Sequence, residues 1–92
     1  MADVAEAIAM HRGVLAAIRR FPHRRRAIEE LALQSENFRL LCSDLADAEL
    51  ALEGWKNCPT PLGEERCAEY RTLVAGLAAE IRETLDRQCQ SH

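Results

Sequence analysis

Glycine and proline are scarce in this sequence, with four of the first and three of the second in 92 residues. So few breakers, beside abundant alanine, favour helix over sheet. No apolar run approaches the length of a membrane-spanning helix. No secretory signal is visible either. Asp3 and Glu6 stand where such a signal wants positive charge, and the apolar run 13–18 is too short. The expectation is a cytoplasmic protein with no membrane partner. Neither a P-loop nor a GxGxxG fingerprint is present, which removes the common nucleotide-binding classes. Lysine is nearly missing, at one residue against eleven arginines, and we read that first as a codon-usage bias.

What is present suits a small helical domain. Hydrophobic residues make up 48% of the chain and charged residues 29%, too apolar for a disordered segment. A length of 92 residues holds one domain with a thin core. Small helical proteins commonly complete such a core by associating. The net charge of −3 is unevenly spread. Residues 1–28 hold six arginines against Asp3 and Glu6, whereas residues 29–92 hold six bases against thirteen acids. The chain is basic at one end and acidic over the rest.

The periodicity predicts a single helical domain over 1–92. A first helix is expected over 2–20, where Val4, Ile8, Leu15 and Ile18 recur near helical spacing. Gly13 should weaken its middle by up to about 1 kcal/mol relative to alanine. Pro22 stops that helix or starts the next. A short helix is expected over 23–34, with Arg24, Arg25 and Arg26 in its first turn. That sign is wrong for the helix dipole, at roughly 0.3–1 kcal/mol each before screening. Either acids elsewhere compensate, or the arginines serve a partner. Ser35 is a plausible N-cap, predicting a break there, with one continuous helix as the alternative.

From Phe38 the pattern becomes regular. Phe38, Leu41, Leu45, Ala48, Leu52 and Trp55 form a heptad stripe, the period of a packed seam. The stretch 54–63, with Asn57, Pro59 and Pro61, is the turn. A return helix over 62–89 continues the stepping through Cys67, Tyr70, Val74, Leu77, Ile81 and then Leu85 or Thr84. The predicted fold is therefore all-α: an antiparallel, coiled-coil-like hairpin of 35–56 and 62–89 with an additional N-terminal helix, completed as a bundle by oligomerisation.

The segment from Ile28 to Leu85 resembles short, uncharacterised bacterial helical-hairpin proteins, the YdcH-like group among them. The residues that carry the resemblance are Ser35-Glu36-Asn37-Phe38 at a helix start, Arg39-Leu40-Leu41-Cys42 with Asp44, Trp55 near the turn, and Glu69-Tyr70 with Leu77 and Glu80-Ile81 on the return. The first helix and its arginines are extra. The resemblance implies a hairpin fold and a bacterial source, and it carries over no active-site residues.

Two surplus features supply the candidate sites. The return-helix stripe of Leu73, Val74, Leu77, Ile81 and Leu85 is wider than a two-helix seam requires. Either the first helix or another copy of the chain must cover its second side, and it is the expected assembly face for a homo-oligomer, a dimer or higher. The cluster Arg19, Arg20, Arg24, Arg25 and Arg26, with His23 and Phe21 beside it, suits an acidic protein partner. Its alternative use is phosphate binding, making this a small nucleic-acid-associated protein. Overall acidity and the absence of a recognisable nucleic-acid module argue against that alternative. No metal or cofactor is expected, because Cys42, Cys58, Cys67 and Cys89 are scattered rather than paired. Cys42 and Cys67 read as small buried apolar residues, and Cys58 as the exposed thiol. No nucleophile–base signature appears, so the expectation is no enzyme. Trp55 is read as a cap on the end of the seam against Leu62, with an exposed partner anchor as the alternative.

Overall fold

In the computed structural model, residues 4–90 are described, and all their regular structure is helical. Helix α1 spans Val4–Arg20, α2 Arg25–Gln34, α3 Glu36–Lys56 and α4 Pro61–Gln90, with a 3₁₀ turn over Pro22–Arg24 between the first two. Side chains are described from His11 to Gln88, and those of Val4, Ile8 and Cys89 lie outside that range.

Each boundary has a local cause. Arg19 and Arg20 fill the last turn of α1, the favourable sign for a helix C-terminus. Pro22 opens the 3₁₀ turn, where its missing amide costs nothing. At Ser35 the backbone leaves helix for an extended conformation, φ −128° and ψ 113°. Ser35 Oγ accepts the Phe38 amide at 3.1 Å, the N-cap bond expected of serine. Arg39 Nη1 donates to the Ala32 carbonyl at 2.6 Å, so a guanidinium of α3 satisfies an orphan carbonyl at the end of α2. Thr60 does for α4 what Ser35 does for α3. Its Oγ1 accepts the Gly63 amide at 3.0 Å, with Pro61 at the first helical position.

Helix α3 is the centre of the molecule. It packs along α1 on one side and α4 on the other, while α1 and α4 scarcely touch. The core draws on all four helices: Ala16 and Ala17 of α1, Ile28 and Leu31 of α2, Phe38, Cys42 and Leu45 of α3, and Val74, Ile81 and Leu85 of α4. The outcome is a slab of 48 × 34 × 19 Å. Its thickness is close to two helix diameters.

Two features of α1 differ from the sequence reading. Among its described side chains the buried residues are the small ones, Gly13, Ala16 and Ala17, whereas Leu15 is exposed and Ile18 only half-buried. Gly13 is also no simple weak point. A Cβ there would lie 2.7 Å from the Ser43 amide nitrogen, so the missing side chain is what lets the two backbones meet. From that contact α1 and α3 run in the same direction, because Arg20 Nε reaches Glu49 at 2.8 Å further along both helices.

Candidate interaction surface

At about 100° per residue, Leu40, Asp44, Asp47, Leu50 and Ala51 share the side of α3 turned away from Phe38, Cys42 and Leu45. Leu40 and Leu50 are 57% and 66% exposed, large values for residues at the middle of a three-helix layer. Grooves run along both flanks of this crest. One, of about 360 Å³, lies between α3 and α4 and is lined by Asp44, Asp47, Ala48, Ala51, Tyr70, Leu73 and Leu77. The other, of about 400 Å³, lies between α1 and α3 and is lined by Arg12, Arg19, Asp47, Glu49, Leu50 and Glu53 among others. Asp47 lines both, which puts it on the ridge between them.

The five stripe residues of α4 are divided between core and surface. Val74, Ile81 and Leu85 are buried in the chain's own core, Leu77 is half-buried and Leu73 is 47% exposed. Those three buried residues join one cluster with side chains of α1, α2 and α3. What α4 offers outward is its edge beside the groove, where Leu73 and Leu77 meet Tyr70. The crest of α3, with Leu40 and Leu50, carries the larger apolar exposure. Sequence periodicity assigns no role to those two leucines because they fall off the heptad stripe.

The basic cluster is mostly engaged inside the chain. Arg20 pairs with Glu49 of α3 and Arg24 with Asp86 of α4, at 2.8 and 2.5 Å. Arg25 and Arg26 pair with Glu29 and Glu30 one turn on, both at 3.3 Å. The dipole conflict at the start of α2 is thus offset by acids of the same helix and of α4. Arg19 is the exception, lining the α1–α3 groove instead.

The cysteines are separated by role. Cys42 is fully enclosed, and burial pushes its thiol up from 9.0 to about 12, so it is protonated and inert. Cys67 is buried outside the main cluster, and Cys58 is partly exposed in the α3–α4 loop, its Sγ 3.3 Å from Thr60 Oγ1. Among the described residues no three His, Cys, Asp or Glu side chains come together in a metal-holding group. No described helix is long and apolar enough to cross a membrane. Trp55 is half-buried and stands outside the main core, and Leu62 is 49% exposed. No known protein family matches the chain, and neither a curated protein nor a solved structure is similar to it.

Proposed function

We propose that this chain is a helical protein–protein interaction module. In this reading α3 and α4 form an antiparallel hairpin, α1 and α2 brace one side of it, and the outer face of α3 with its two grooves docks on protein. The observation that carries the reading is the exposure of Leu40, Leu50 and Leu73 on α3 and the neighbouring edge of α4. Apolar side chains gathered on one face and rimmed by charge are the usual mark of a contact site. Helix-in-groove recognition needs the kind of flanking channel found on both sides of the crest.

The ion pairs made by Arg20, Arg24, Arg25 and Arg26 favour a bracing role for the basic cluster over recognition of an acidic partner or of phosphate. The test is affinity capture from the native cell with two baits, the wild-type chain and Leu50→Glu. The reading expects a protein, its own untagged copy included, that the wild type retains at high salt and the variant loses. Equal capture by both baits, or retention only at low salt, contradicts it.

A further inference from the structure

We infer that the outer face of α3 is closed by a second copy of this chain, packed face to face so that the Arg12–Leu15–Arg19 ridge of each α1 lies in the α3–α4 groove of the other. The inference rests on reading that face as a docking surface and commits it to one occupant.

Area is the first argument. A compact monomer of this mass exposes about 5,400 Å² by the usual size scaling. This chain, at 10.3 kDa, exposes 6570 Å². The surplus exceeds the roughly 800 Å² per partner that a stable interface of standard size removes. The radius of gyration agrees, at 14.5 Å against about 12 Å expected for a compact domain of this length. One more layer laid on the slab would cover much of that surplus.

Charge selects what that layer is. Among the described residues most arginines of the first half are matched with acids, yet Arg12 and Arg19 make no ion pair, and neither do Asp44 and Asp47. The two cations line the groove on the α1 side of the crest, Asp44 lines the groove on the α4 side, and Asp47 on the ridge borders both. A partner of one charge sign satisfies half of this pattern. A second copy satisfies both halves at once, because a two-fold interface is self-complementary by construction.

Geometry then fixes the arrangement. A two-fold axis parallel to α3 carries the α1 edge of one copy over the α4 edge of the other. A perpendicular axis in the interface plane would stack α1 on α1 and set arginine against arginine. With the parallel axis, Leu15, 38% exposed, comes down on Leu73 and Leu77. Arg12 and Arg19 reach Asp44 and Asp47, and the two Leu50 crests meet near the axis.

The experiment is a charge exchange read by light scattering. Wild-type chain should run at twice its 10.3 kDa mass. The double variants Arg12→Asp/Arg19→Asp and Asp44→Arg/Asp47→Arg each set like charges opposite and should run as monomers with unchanged helical circular dichroism. Mixed in equal amounts they should recover the dimer, since every contact between them again joins opposite signs. If a double variant loses its helical signal, Arg12→Asp and Asp44→Arg carry the same comparison singly. A monomeric wild type, a variant that stays dimeric, or a mixture that stays monomeric overturns the pairing. A monomeric wild type that still captures protein through Leu50 overturns this inference and leaves the broader docking reading standing.

Discussion

Gly13 and Ser43 are in backbone contact: a methyl group on Gly13 would sit 2.9 Å from the Ser43 Cα, with no flexible side chain between to give way. The approach of α1 to α3 at this point therefore depends on one hydrogen atom. Gly13→Ala should raise helix propensity and still lower stability, by about 1–3 kcal/mol, because overpacking forces the helices apart. Gly76→Ala is the control. Nothing lies within 4 Å of the added Cβ there, so the same change should stabilise by roughly 0.5–1 kcal/mol. Urea unfolding followed by circular dichroism checks both signs. Stabilisation by Gly13→Ala would show that the two helices do not meet at this point.

The break between α2 and α3 hangs on the Ser35 hydroxyl, which accepts the Phe38 amide. Ser35→Ala should cost about 1 kcal/mol, and Ser35→Asp should cost far less because aspartate caps equally well. Equal losses for both substitutions in the same unfolding assay would point to packing at this position instead of a cap.

The buried Cys42 thiol makes stability depend on alkaline pH. Its folded value, about 12, lies above the ordinary 9.0. The contribution is therefore complete below pH 9 and is lost as pH rises toward 12, since only the unfolded chain can ionise there. The loss is of the order of a few kcal/mol at about 1.4 kcal/mol per unit. Cys42→Ala should remove that slope, though it leaves a small cavity. In native buffer a thiol reagent should modify Cys58 readily and Cys42 only after denaturant is added. Rapid labelling of Cys42 would contradict its burial.

With Arg24, Arg25 and Arg26 held by Asp86, Glu29 and Glu30, the wild-type chain should show no retention on DNA or RNA at about 50 mM salt, where phosphate contacts are strong. Arg24→Ala should cost no more than about 1 kcal/mol, the usual worth of a partly exposed pair. Salt-sensitive retention lost in the triple alanine variant would reinstate phosphate recognition.

Helix positions and their punctuation were legible in the sequence because each has a local cause. The serine cap, the proline turn and the loop after Lys56 all act within a few residues. Packing partners were less legible. Among the described side chains of α1 the apolar pattern pointed to Leu15 and Ile18, but near Gly13 α1 lies so close to α3 that the small residues Gly13, Ala16 and Ala17 are the buried ones. Close approach favours small side chains, and a search for large apolar residues passes over them. The stripe on α4 was visible, yet its division could not be read in one dimension. Val74, Ile81 and Leu85 went inward, while Leu73 stayed at the surface. Leu40 and Leu50 were hidden for the converse reason, since residues off a seam read as background until the fold leaves a face uncovered.

The unfinished outer face of α3 is the centre of this account, and molar mass reads it most directly. Light scattering should find the wild-type chain at twice 10.3 kDa and Leu50→Glu/Leu73→Glu at the single mass with its helical signal intact. A wild-type chain that stays monomeric at every concentration at which it is soluble would contradict closure of that face by a second copy, and a folded variant with the wild-type mass would contradict its part in assembly.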